Sequence, residues 1–291
     1  MALHRRIGLM IGLLCLCMAG GALAAEAAVV QIAPDEGLLN QGLLEVHFIN
    51  VDAADCLLLR LGDKTLMLDS GTRATSDRVL AYLAEVGVDA LDYAFATHPH
   101  DDHVGGFLDL LPVIPVDTFL APHLYEEDEA SSTRLIRRAL QEAGLPITYI
   151  ENESTLNFGG ATLTFYQWQK KSETGNNRSM IALLRYGQRS MLLAADIGSQ
   201  AQHALTELYG DRLRADIIKL PHHGLSTYQL AFHRVVQAEL ATFSNVRTQV
   251  KDNISRLKDR KVPYLFTPQG SIVAVTDGEV WQVYQTPNKK K

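Results

Sequence analysis

Seven consecutive residues, Thr97-His-Pro-His-Asp-Asp-His103, hold three imidazoles and two carboxylates at the end of the apolar run Tyr93-Ala-Phe-Ala96. Neutral imidazole and carboxylate are borderline-hard ligands that suit zinc, manganese or iron. In an irregular loop, spacing by two lets His98, His100 and Asp102 converge on one point, with His103 directly behind. This HxHxDH pattern predicts a metal site. Two more stretches point the same way. Asp196 follows the apolar strand Met191-Leu-Leu-Ala-Ala195, where a carboxylate is costly to bury without a cation. Its alternative role is to cap a helix starting near Ser199. Pro221-His-His-Gly224 interrupts the run Asp216-Ile-Ile-Lys-Leu220, and its glycine allows a tight turn that aims His222 or His223 back over the strand ends.

The elements that must position these groups form an internal repeat. Leu58-Leu-Arg-Leu-Gly62-Asp-Lys-Thr-Leu-Met-Leu68 is echoed 125 positions later by Leu183-Leu-Arg-Tyr-Gly187-Gln-Arg-Ser-Met-Leu-Leu193. Each copy reads as a β-hairpin with glycine in its turn. A helix follows each, with apolar positions Val79, Tyr82, Leu83 and Val86 in one and Ala204, Leu205 and Leu208 in the other. A second strand then ends in histidine both times, at His98 and at His222. Two similar halves facing each other would bring both histidine clusters to one site.

HPHDDH, Leu68-Asp-Ser-Gly71, Ala195-Asp196 and Lys219-Leu-Pro-His-His-Gly224 together resemble the metallo-β-lactamase fold superfamily. Within it, the chain is similar to the C-terminal hydrolase domain of the competence DNA-uptake family ComEC and its free-standing relatives. Val51-Asp-Ala-Ala-Asp55 and Asn176-Asn-Arg-Ser179 fit further stretches of that pattern, and the likeness covers most of residues 44 to 280. There are departures. Asp52-Ala-Ala54 stands where the family has Gly-Gln-Gly, Ala195 stands where it has glycine, and no His-Pro follows Ser244-Asn245. Many superfamily members carry a third first-site histidine before the second hairpin, but Thr164-Phe-Tyr-Gln-Trp-Gln-Lys-Lys171 contains none.

The resemblance implies an α/β fold, the αββα four-layer sandwich built from two similar halves, with two divalent ions at one edge. Zinc is the first expectation and manganese the second. Ions held about 3.5–4 Å apart generate hydroxide near neutral pH and clamp attacking and leaving oxygens. His98 and His100 would hold the first ion, Asp102 and His103 the second, and Asp196 would bridge. His223 would close the second set, with His222 as the alternative. The missing histidine makes the first ion the less secure. Asp69 would orient a ligating imidazole from behind, and Asn176, Asn177, Arg178 and Ser179 would grip a phosphate oxygen. Asp102, His103 and Asp196 would carry the catalysis. The implied activity is a phosphodiesterase or nuclease. The alternatives are a lactonase or β-lactamase, and a metal- or DNA-binding module without turnover.

Residues 1–24 read as a signal peptide, with basic Arg5-Arg6, an apolar stretch from Ile7 to Gly21 and the small-x-small ending Ala22-Leu-Ala24. The alternative is a retained membrane anchor. Cleavage after Ala24 predicts a periplasmic or secreted protein without stable membrane insertion, and leaves residues 25–291 as a single domain. No small residue precedes Cys15 or Cys17 as a lipoprotein signal would require, and one thiol, Cys56, remains as a packed core residue. Losing Arg5 and Arg6 from 27 basic residues leaves 25 against 33 acidic, a net charge of −8. That charge argues against broad nonspecific binding to duplex DNA. Local basic segments remain. Arg247, Lys251, Arg256, Lys258, Arg260 and Lys261 lie among only Asp252 and Asp259, and Arg134, Arg137 and Arg138 share a helix. Solvated helix faces are the plainer reading of both. His47, His123, His203 and His233 lack a partner motif and read as ordinary.

Overall fold

The computed structural model describes residues 27–127, 130–170 and 175–288. The expected signal segment, residues 1–24, lies outside the described residues. Among those described, no helix is long and apolar enough to cross a membrane.

In chain order the strands are β1 (Val29–Gln31), β2 (Leu44–Phe48), β3 (Cys56–Leu61), β4 (Lys64–Ser70), β5 (Leu91–Phe95), β6 (Val116–Pro122) and β7 (Ile147–Ile150). They continue with β8 (Thr155–Phe158), β9 (Ala161–Tyr166), β10 (Ile181–Tyr186), β11 (Arg189–Leu193), β12 (Ile217–Lys219), β13 (Leu240–Phe243), β14 (Tyr264–Phe266), β15 (Ile272–Thr276) and β16 (Trp281–Gln285). A nine-stranded sheet runs β1-β16-β15-β2-β3-β4-β5-β6-β7, and a seven-stranded sheet runs β14-β13-β12-β11-β10-β9-β8. The helices are α1 (Ser76–Glu85), α2 (Asp101–Val104), α3 (Phe107–Leu110), α4 (Leu124–Glu127), α5 (Ser131–Glu142), α6 (Ser199–Tyr209), α7 (Leu230–Val236) and α8 (Lys251–Asp259).

The repeat is visible in this topology. The β3–β4 hairpin is followed by α1 and then by β5, which pairs parallel to β4; β10–β11 is followed by α6 and then by β12, parallel to β11. Both hairpin turns use a glycine at positive φ, Gly62 (61°) and Gly187 (56°), a conformation that costs a residue with Cβ. Alternation along the strands divides the core into layers. Leu57, Leu59, Leu66 and Leu68 of one sheet meet Leu163, Leu184, Met191 and Leu193 of the other in the central layer. The opposite faces pack outward. Val79, Leu83, Ile136 and Leu140 cover the nine-stranded sheet, and Ala201, Leu205, Phe232 and Leu257 cover the seven-stranded one. The result is the expected αββα sandwich. One detail differs: Leu208 is exposed, because α6 buries the i, i+4, i+8 stripe Ala201, Leu205 and Tyr209 instead.

Candidate metal centre

The metal-binding residue types gather where the parallel strands of both sheets end, the edge at which open α/β sheets place their ligands. β4 delivers Asp69, and the loop after β5 delivers His98 and His100. The short α2 carries Asp102 and His103 one behind the other. Asp196 follows β11, and Lys219 ends β12 just before His222 and His223. The backbone is strained here. Asp69, Ala195, His222 and His223 all adopt left-handed φ, at 55°, 42°, 52° and 55°. Such angles persist in non-glycine residues only where the surroundings enforce them. They also explain the family's glycine at the position of Ala195.

Asp196 is the hub. Its Oδ2 lies 3.2 Å from His103 Nε2, 3.4 Å from His223 Nε2, 3.7 Å from His98 Nε2 and 3.8 Å from His222 Nε2. Two more close pairs complete the cluster. His98 Nε2 lies 3.1 Å from His100 Nδ1, and His223 Nε2 lies 3.1 Å from Asp102 Oδ2. Zinc–nitrogen and zinc–oxygen bonds of about 2.0–2.1 Å in a tetrahedron separate neighbouring donors by about 3.3 Å. The observed spacings cluster around that value. Buried His103 Nε2 finds no hydrogen-bond partner among the described residues, as expected of an atom aimed at an ion, whereas Asp196 Oδ1, likewise without one, faces the Lys219 ammonium at 3.7 Å. The donor set therefore fits divalent metal.

Behind the ligating atoms, second contacts fix the rings. His103 Nδ1 donates to Asp69 Oδ2 (2.7 Å), and Asp69 is held in turn by the N–H and O–H of Thr97 (2.8 Å each). His223 Nδ1 donates to Asp55 Oδ1 (3.2 Å), which also accepts the Ser244 hydroxyl (2.5 Å). These bonds select the tautomer with Nε2 free for the site. Asn253, on α8, braces the His-His-Gly turn by donating to Gly224 O (2.6 Å) and Ser226 O (2.8 Å).

Charge follows from this packing. Burial would lower His103, but the charges of Asp196 and Asp69 outweigh it and push its pKa up to about 10. Asp55 and Asp196 likewise overcome burial to raise His223 well above the ordinary imidazole range. Burial and the nearby His103 charge keep His98 well below that range, hence neutral. Asp102 is held at about 2, because burial is outweighed by the His223 hydrogen bond and the charges of His103 and His223. In the metal-free chain, protons on His103 and His223 thus offset the converging carboxylates.

Of the residues singled out from the sequence, His98, His100, Asp102, His103, Asp196, His222 and His223 come together, and Asp69 lies behind His103. The segment 176–179 is split among different contacts. Asn176 Nδ2 lies 3.3 Å from His222 Nε2, while Asn177 Oδ1 accepts the Gly198 N–H at the start of α6 (3.0 Å). Ser179 is fully buried, and the Arg178 carbonyl accepts from Gln167 (2.6 Å). Sequence reasoning missed three participants: Asp55, Lys219 and Ser244. Asp55 offers a donor atom within 4.8 Å of those of His103, Asp196 and His223. A signal existed for Lys219, a lone charge in the apolar run Ile217-Ile-Lys-Leu220. Of the remaining described histidines, buried His47 pairs with Glu45 and Tyr82, His123 with Glu126 and Glu151, and His203 with Glu207, while the His233 ring packs edge-on against Tyr228 at 5.6 Å.

The model of the Metallo-beta-lactamase superfamily matches residues 49–246, and the chain belongs to that family. Among its relatives, the Uncharacterized protein YcaI of Escherichia coli (strain K12) is 22% identical over 261 residues, 88% of this chain and 31% of that protein. Competence protein ComA of Neisseria gonorrhoeae is 24% identical over 193 residues, 65% of this chain and 25% of its own length. The chain thus spans less than a third of either relative. The solved metallo-beta-lactamase fold protein YhfI from Bacillus subtilis shares the fold, with a TM-score of 0.52 at 14% identity over 78% of this chain and 96% of that one.

Proposed function

We propose that this chain is a metal-dependent hydrolase of phosphodiesters, exported with removal of residues 1–24. The observation that carries the metal-dependent part is the ring of four imidazole Nε2 atoms around Asp196 Oδ2, at 3.2–3.8 Å. These residues would hold a divalent ion, which would supply an acidified water and polarise a phosphoryl oxygen. His98, His100, Asp196 and His222 would hold one ion and Asp102, His103, Asp196 and His223 the other. Asp69 and Asp55 orient the rings, and Asp102, whose side chain is 35% exposed, stands at the mouth as a carboxylate. Asn176, beside His222, would meet a substrate oxygen.

Phosphodiester chemistry is supported by the likeness to competence proteins and by α8. Lys251 and Lys258 are exposed on this helix, whose Asn253 grips the His-His-Gly turn. Arg247 is also exposed and lies over the Phe266 ring (4.6 Å). Arg256, in the same basic segment, is half-buried and so is a weaker candidate. A phosphate backbone running from the metal edge toward this helix would find cations for positioning.

Bis(p-nitrophenyl) phosphate and nitrocefin, offered to zinc- or manganese-loaded protein, test the reading. Turnover of the phosphodiester is expected. Turnover of nitrocefin alone would replace the reading with a lactamase or lactonase, and metal-loaded protein inert toward both would indicate a binding module. Neutralising Arg247, Lys251 and Lys258 should reduce cleavage of single-stranded DNA, and its salt dependence, more than cleavage of the small substrate. Equal losses would remove α8 from the substrate path. N-terminal sequencing of exported protein tests the leader, with Ala25 expected first.

A further inference from the structure

Lys219 is a cation buried inside a centre built to hold cations. Its side chain is 3% exposed, and its ammonium donates to the Ala195 carbonyl (3.0 Å), pairs closely with Asp55 Oδ2 and lies 3.7 Å from Asp196 Oδ1. Both oxygens of Asp55 are consequently engaged, Oδ2 by Lys219 and Oδ1 by Ser244 and His223. Asp196 is divided in the same way. Its Oδ1 faces the ammonium while Oδ2 faces the imidazoles. Asp55 and Lys219 line a small recess with Thr242, Ser244 and Thr267.

We propose that Lys219 is a positioning residue that sets the coordination of this centre. It excludes Asp55 from the ligand set, converts that carboxylate into the group orienting His223, and leaves Asp196 a single oxygen for metal. The inference rests on the metal reading above, and concerns which of the four grouped residues Asp55, His103, Asp196 and His223 touch the ion. Proximity alone would group Asp55 with the ligands. The lysine argues otherwise, because a metal bound to Asp55 would have to displace the buried ammonium that pairs with its Oδ2. The fixed cation also opposes the incoming ion electrostatically, so the lysine trades metal affinity for a defined geometry.

The test measures zinc affinity by chelator competition and zinc stoichiometry by elemental analysis in full-length protein. Lys219→Met removes the cation. Lys219→Gln removes the charge, keeps an N–H for Asp55 on a slightly shorter side chain, and covers the case in which the methionine variant does not fold. Each folded variant should bind zinc at least about tenfold more tightly than wild type. Asp55→Asn should keep the wild-type number of ions at saturating zinc and lose roughly 10- to 100-fold in affinity, the usual effect of removing a group that orients a ligand. Equal or weaker binding in the Lys219 variants, or loss of a whole equivalent in Asp55→Asn, would overturn the assignment while leaving the metal reading intact. Wild-type protein that takes up no zinc would overturn both.

Discussion

The two ligand groups around Asp196 are built to different standards. On one side, His103 and His223 are almost wholly enclosed, and each ring is held from behind by a buried carboxylate, Asp69 or Asp55. On the other side, among the described residues, His98 has the Thr97 hydroxyl behind it (3.1 Å), and His222, 31% exposed, has Ser226 (3.2 Å). A carboxylate behind an imidazole fixes its tautomer and raises its basicity, whereas a hydroxyl does little of either. The difference teaches that counting histidines is a poor guide to how firmly each ion is held. The group with more imidazoles is expected to be the weaker one.

The largest effect should follow from removing the shared oxygen. Asp196→Ala is expected to abolish binding of both ions and all hydrolysis, while His100→Ala loses only the weaker ion. Elemental analysis at saturating zinc reads the difference, and equal losses would argue against a bridge. Next comes the brace. Asp69→Ala should weaken the tighter ion by roughly 10- to 100-fold without a change in stoichiometry, and an unaltered affinity would show that the His103 ring needs no carboxylate.

The unequal charge states give a third measurement. In metal-free protein the pKa of His103 is about 10 and that of His223 is raised, while His98 is neutral. Filling the tighter group must therefore release protons at neutral pH, and filling the other should release few. Calorimetry in buffers of different ionisation enthalpy separates these. The linked stability has a definite sign. A histidine raised on folding stabilises fully below about pH 6.5 and ceases to do so as pH rises through about 10. The metal-free protein should accordingly lose stability over that window, and zinc should remove the loss.

A smaller effect would sharpen the comparison from the weaker side. Asn176→His offers another imidazole beside His222 and should tighten the first ion; no change in its affinity would mean that this loop does not reach it. Smallest of all, Asn177→Ala removes the acceptor for the Gly198 N–H and should lower stability by about 1 kcal/mol, with little change in zinc binding. Urea denaturation provides the reading. A large loss of phosphodiester turnover in a variant of ordinary stability would instead restore Asn177 to substrate contact.

What the sequence revealed and what it hid follow from locality. HPHDDH is legible because its ligands sit close together in sequence, and the sandwich is legible because hairpin, helix and strand recur in the same order with glycine in both turns. The brace behind His223 is not, since Asp55 and Ser244 are separated from it by 168 and 21 positions; the fit of Val51-Asp-Ala-Ala-Asp55 to the family pattern marks Asp55 without telling which ring it faces. The choice between His222 and His223 depended on two left-handed residues in succession, which no propensity anticipates; that turn brings both rings to Asp196. Arg256 misled because a basic run looks uniformly exposed until the helix is packed.

The central claim, two unequal metal groups sharing Asp196, is tested most directly by withdrawing zinc from the fully loaded protein with a graded chelator and counting ions by mass spectrometry. Two equivalents are expected at the start, with one leaving at low chelator strength and the other only at high strength; His100→Ala should lack the first and His103→Ala the second. A wild-type protein that never holds zinc or manganese, or one whose two ions leave together and are affected alike by both substitutions, would contradict it.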